Sequence, residues 1–159
     1  MTRGVIAWLR VLLASIMLGT LAAQFWFFPT LAGQLAQTYP ELDWLRWPLL
    51  AVVIVVILGV QVGLVALWVL LSMVESDSVF SPAAFGWVNL IIAVAVVDTV
   101  MVLGAYLVLS FGVGANPPGL ALLQLALVVC GAAFALLMAV MKGLLRKASR
   151  LDAELSEVI

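Results

Sequence analysis

The sequence predicts an all-α fold, an integral membrane bundle of four transmembrane helices with both termini inside and a C-terminal cytoplasmic amphipathic helix. Three observations predict it. Of 159 residues, 67% are hydrophobic and only 9% are charged, against roughly 25% charged in a soluble domain. Uncharged runs recur at the ~20-residue length that crosses a hydrocarbon core. Those runs are continuously apolar and lack the alternation of a membrane barrel. Backbone groups in lipid must also be satisfied within each segment, which selects helices. Fifteen charges, 7 basic and 8 acidic, cannot cover a soluble surface. Disorder is excluded because disordered chains are polar.

Each element follows from local punctuation. The first span covers about residues 5–28 and closes at Pro29. A cleaved signal peptide is its rival, with Arg3 as the basic leader and small residues at Ala22 and Ala23. The apolar stretch continues through Phe25 to Phe28, longer than such a peptide needs, which favours a span. The segment from Pro29 to Pro48 reads as an outer loop, with Tyr39, Trp44 and Trp47 suited to the membrane boundary. It is an interfacial anchor or a ligand lid. The second span covers about 48–72 and opens at Trp47-Pro48, where a first-turn proline loses no hydrogen bond. The third covers about 86–111. Ser81-Pro82 ahead of it resembles an N-cap with a first-turn proline. No charge interrupts Thr99 to Met141, which is too long for one span, and Gly114 to Gly119 (GANPPG) divides it. The fourth span covers about 120–141. Residues 1–141 thus form a transmembrane domain and 142–159 a cytoplasmic tail.

The positive-inside rule orients the chain. Arg3, Arg10, Lys142, Arg146, Lys147 and Arg150 fall on one side, and Arg46 alone on the other. This predicts a multi-pass protein of the cell (inner or plasma) membrane with both termini cytoplasmic.

Few residues could carry chemistry. There is no His and one Cys, Cys130, in an apolar run that reads as buried. This removes the commonest metal and haem ligand, the usual acid–base group and any CxxC redox pair. No cofactor and no metal site is expected. A net charge of −1 gives no field for direct nucleic-acid binding.

Polar residues at membrane depth are the remaining candidates. At 1.5 Å per residue, Arg10 and Asn89 share a shallow depth, and Gln24 and Gln124 lie towards the outer edge. Gln61 and Asp98 both fall roughly 17–18 Å in. Depth-matched groups on different spans are expected to face each other inside the bundle. Asp98 reads as a proton or cation relay, or as a structural carboxyl that hydrogen-bonds Gln61 or is reached by Arg10. Arg10 can also snorkel to the headgroups. Gly59 and Gly63 form a small-xxx-small pair for helix packing within the chain or in a dimer.

In the tail, Leu144, Ala148, Leu151, Leu155 and Val158 recur at helical spacing. Lys142, Arg146, Lys147 and Arg150 form a basic half suited to lipid headgroups, followed by an acidic half. The apolar stripe folds back on the chain's own middle loop, or docks a partner or a second copy.

The order of short basic N-terminus, span, outer loop and span, then Val79 to Pro82 (VFSP), and a tail reading Met141 to Ile159, resembles the bacterial membrane family called domain of unknown function 2975. The resemblance extends over essentially the whole chain. It implies no catalytic motif. It implies, by analogy, a membrane component paired with a small helix-turn-helix regulator. The tail entry departs from the pattern in its Lys/Arg content, and the middle loop in its few charges.

Three functions compete. The first is a non-enzymatic membrane protein docking a partner through its tail. The second is a small proton-coupled transporter or channel centred on Asp98, requiring a homodimer to enclose a path. The third is an intramembrane enzyme, for which Ser15 and Ser110 lack a base. The expectation is that the chain is not an enzyme.

Overall fold

The computed structural model describes residues 3–76 and 81–158, the side chains of Arg3 and of residues 156–158 excepted. The described residues are helical almost throughout, in the order α1 (Arg3–Ala22), a π turn (Ala23–Phe27), α2 (Phe28–Thr38), a 3₁₀ turn (Pro40–Leu42), α3 (Asp43–Glu75), α4 (Pro82–Leu107), a second π turn (Val108–Val113) and α5 (Pro118–Val158). Four helices are long and apolar enough to cross a membrane: Gly4–Thr38, Pro40–Glu75, Pro82–Val113 and Pro118–Leu155. The protein is a multi-pass membrane protein.

The expected outer loop is mostly helix. Pro29 does not close the first span, because α1 runs through the π turn into α2 as far as Thr38. Proline holds φ in the helical range and forfeits only its own N–H. Pro29 is the second residue of α2, directly after the wide turn. The preceding wide turn is closed by the Phe28 N–H donating to the Ala23 carbonyl. The reversal itself needs only Tyr39 and the 3₁₀ turn. Likewise α3 begins at Asp43, so Pro48 lies inside the helix and does not open it. Asp43 in the first turn complements the positive helix end.

The turn between the third and fourth spans matches its reading. Gly114 takes φ +68°, the left-handed conformation open to glycine, and the Ala115 N–H donates to the Leu109 carbonyl across it at 3.2 Å. Ser81 stands at the N-cap of α4 as expected, but its hydroxyl makes no cap bond and is buried without a hydrogen-bond partner among the described residues. Val79 and Phe80 lie outside the described residues.

The spans pack in chain order. The first lies on the second, the second on the third and the third on the fourth, with the closest backbone approach between the last three. The first and second spans share an apolar core of Ile6, Leu13, Met17, Leu64 and Leu71. Most other large apolar side chains face outward, as lipid-facing surface must. Cys130 is among the outward residues, not buried in the bundle. Its helical position faces away from the neighbouring span, which an apolar run alone cannot reveal. Beyond Met141, α5 continues unbroken, a 41-residue helix about 60 Å long.

Candidate functional site

Among the described residues, the polar groups assemble into three clusters and one further pair between α4 and α5. None pairs the residues that share a depth.

The first cluster lies between α1 and α3 at the end of the bundle that bears both termini. Ile6, Arg10, Leu13, Met17, Thr20 and Gln24 are spaced 4, 3, 4, 3 and 4 apart, one continuous helical face. Opposite stand Gln61, Leu64, Trp68, Leu71, Ser72 and Glu75. The Arg10 guanidinium donates to the Glu75 carboxylate at 2.6 Å and to the Ser72 hydroxyl at 3.3 Å. It also lies over the Trp68 ring, 5.8 Å from its centroid. Arg10 therefore meets neither Asn89 nor Asp98. Its partners are on the helix across the seam, and its head is drawn towards the helix ends.

The second cluster lies deeper on the same seam. Gln61 Nε2 donates to Gln24 Oε1 at 3.1 Å and to Thr20 Oγ1 at 3.4 Å. The Thr20 hydroxyl donates in turn to the Met17 carbonyl. Gln24 and Gln61 are both buried. Gln24 belongs to the first π turn, and wide turns of this kind recur at functional positions.

The third cluster closes the turn between the third and fourth spans. Asn116 Nδ2 donates to Ser110 Oγ at 2.8 Å and to Gln124 Oε1 at 2.9 Å. Ser110 belongs to the second π turn. Gln124 is buried here and satisfied within its own hairpin, not by Gln24. At the opposite end Lys142 Nζ donates to Asn89 Oδ1, which ties α5 to α4.

Asp98 stands apart. Its carboxyl group lies directly on Gly59, so that a β-carbon at residue 59 would collide with it. Among the described residues it makes no hydrogen bond and no ion pair, so the expected bond to Gln61 is absent. Gln61 is engaged on the opposite seam. The neighbouring Thr99 points the other way, against Gly131 of α5, where a β-carbon would collide with its hydroxyl. Two consecutive polar residues of α4 thus seat on two glycines of the flanking helices. Gly63, the other half of the small-xxx-small pair, has open space around it. Sequence reasoning found Gly59 but missed Gly131, Thr99, Thr20, Glu75 and Asn116. The 3–4 spacing that joins Arg10, Thr20 and Gln24 was the available signal for the first seam.

In the tail, Leu144, Leu151 and Leu155 are each more than half exposed, and Ala148 is exposed beside them. The stripe does not fold back on the described part of the chain. The Val158 side chain lies outside the described residues. Amides and hydroxyls dominate the clusters, and they hold helices together without exchanging protons near neutral pH. Among the described residues, Asp98 is the one carboxylate within the deep part of the bundle.

The family model described as Protein of unknown function (DUF2975) matches residues 30–159. The chain belongs to that family. The match begins beyond the first π turn, so most of the first DUF2975 span, including Arg10 and Gln24, lies outside it. The span expected from the resemblance was longer. No match was found among curated proteins or solved structures.

Proposed function

We propose that this DUF2975 member is a non-enzymatic protein of the cell membrane with both termini in the cytoplasm. It acts as the membrane partner of a regulatory pair and docks through its tail. The supporting observation is the stripe of Leu144, Ala148, Leu151 and Leu155, exposed on a helix that is continuous with the fourth span. A rigid helix offering apolar anchors at three- and four-residue steps is a groove-binding element. A small helix-turn-helix regulator is the partner that the family resemblance suggests. Co-purification from the native membrane tests this. Truncation at Leu151 should release the partner, and undiminished recovery would remove the tail as its docking site.

A second reading rests on Asp98, a carboxylate without a hydrogen-bond partner among the described residues, at mid-membrane. It would make the protein a small proton-coupled carrier or channel, assembled as a homodimer. Flux into vesicles should then fall with Asp98→Asn. Equal flux in both proteins, or none in either, counts against it.

A further inference from the structure

Where α4 begins, its first turn and the tail of α5 enclose an open groove of about 440 Å³. Pro82 and Phe85 form one wall, and Arg146, Ser149, Arg150 and Ala153 the other. We propose that this groove holds the headgroup of an anionic phospholipid. The phosphate sits between the two guanidinium groups and the Ser149 hydroxyl, and the glycerol and the root of an acyl chain lie on Pro82 and Phe85.

Position, charge and shape each support this occupant. The uncharged stretch of α5 ends at Met141. Arg146 and Arg150 follow it by roughly 8 and 14 Å of helix, while each headgroup layer is about 5–7 Å thick. Arg146 therefore stands at the outer edge of the headgroup layer, and Arg150, about one layer farther out, reaches back towards it along its aliphatic stem. The two arginines lie four residues apart, on one face with Ser149 between them. Neither makes an ion pair among the described residues, although Asp152 and Glu154 are close in sequence. An arginine fork matches phosphate oxygens in geometry as well as charge. Basic pockets between membrane helices at this level suit acidic headgroups. The opposite wall decides between a lipid and a free oxyanion, since Pro82 and Phe85 offer an inorganic phosphate nothing.

Native mass spectrometry of the full chain in detergent tests the proposal. The probes are phosphatidylglycerol and phosphatidylcholine with identical acyl chains. Phosphatidylglycerol should be retained in preference. Arg146→Gln or Arg150→Gln should each weaken it about fivefold and the double variant about thirtyfold, the scale of one and two basic side chains at an anionic surface. Ser149→Asp, which keeps both arginines but puts a carboxylate between them, should weaken it at least as much as either single change. Lys147→Gln removes an equal charge outside the groove and should leave retention within twofold. Equal retention of the two lipids would overturn the proposal, as would an equal loss with Lys147→Gln. Displacement by millimolar inorganic phosphate would also overturn it, by showing a site for the free ion.

Discussion

The first and second spans meet through long side chains, whereas the third and fourth meet where a glycine lets a short one in. Along the first seam, Ile6, Leu13, Leu64 and Leu71 interdigitate, and Arg10 and Gln61 reach across to Glu75 and Gln24. Along the last, Thr99 lies against the bare backbone of Gly131, and the helices approach more closely. In lipid there is no hydrophobic force between apolar helices, so association depends on packing and interhelical hydrogen bonds. The molecule uses one device on each side. The difference teaches that long polar side chains can hold helices at a distance, whereas small residues work only where the backbones nearly touch.

The largest test of that contrast is Gly131→Ala. The added methyl has no space beside Thr99, and overpacking of this kind costs about 1–3 kcal/mol. Unfolding in micelles should shift accordingly, and Thr99→Ala in the same chain should restore it. A Gly131→Ala protein as stable as the parent would abolish the distinction between the seams. Gly59→Ala should act in the same way against Asp98, with Asp98→Ala as its rescue.

Gln61→Leu probes the other device. It removes both donations across the first seam and should cost about 0.6–1.7 kcal/mol, the range for membrane hydrogen bonds. A loss matching that of Gly131→Ala would mean that polar bonding outweighs close packing here. A double-mutant cycle on Arg10 and Glu75 should give less than about 1 kcal/mol of coupling, because the pair is partly exposed. That coupling should decline further with salt. Gly63→Ala should change stability by less than about 0.5 kcal/mol, since open space surrounds that glycine. A loss there as large as that at Gly59 would point to a contact with a second copy.

The helical class, the number of spans and the Gly114 turn were legible because apolar length and proline–glycine punctuation are one-dimensional signals. Partner choice was not. Depth along the membrane normal says how far in a residue lies, not which way it faces. Gln61 and Asp98 illustrate this: similar depth, opposite seams. Pro29 misled for a related reason. Proline marks a missing N–H, and whether that ends a helix depends on the turn before it. The helical spacing of the tail stripe was legible, but its exposure was not, and neither was the groove beside Arg146, because half of it belongs to Pro82 and Phe85 of another helix.

The first π turn changes which faces the first span presents along its length. The first π turn accommodates about one residue more than regular α-helix would, so every side chain of the helix beyond it is rotated by about 100° relative to an unbroken α pattern. Residues 28–38 therefore present faces that are out of step with those of α1, although the rod is continuous. A single-residue deletion within Ala23–Phe27 would return the turn to α geometry with both flanking faces still pointing where they do now, but would set the Pro29 ring against the carbonyl one α turn back.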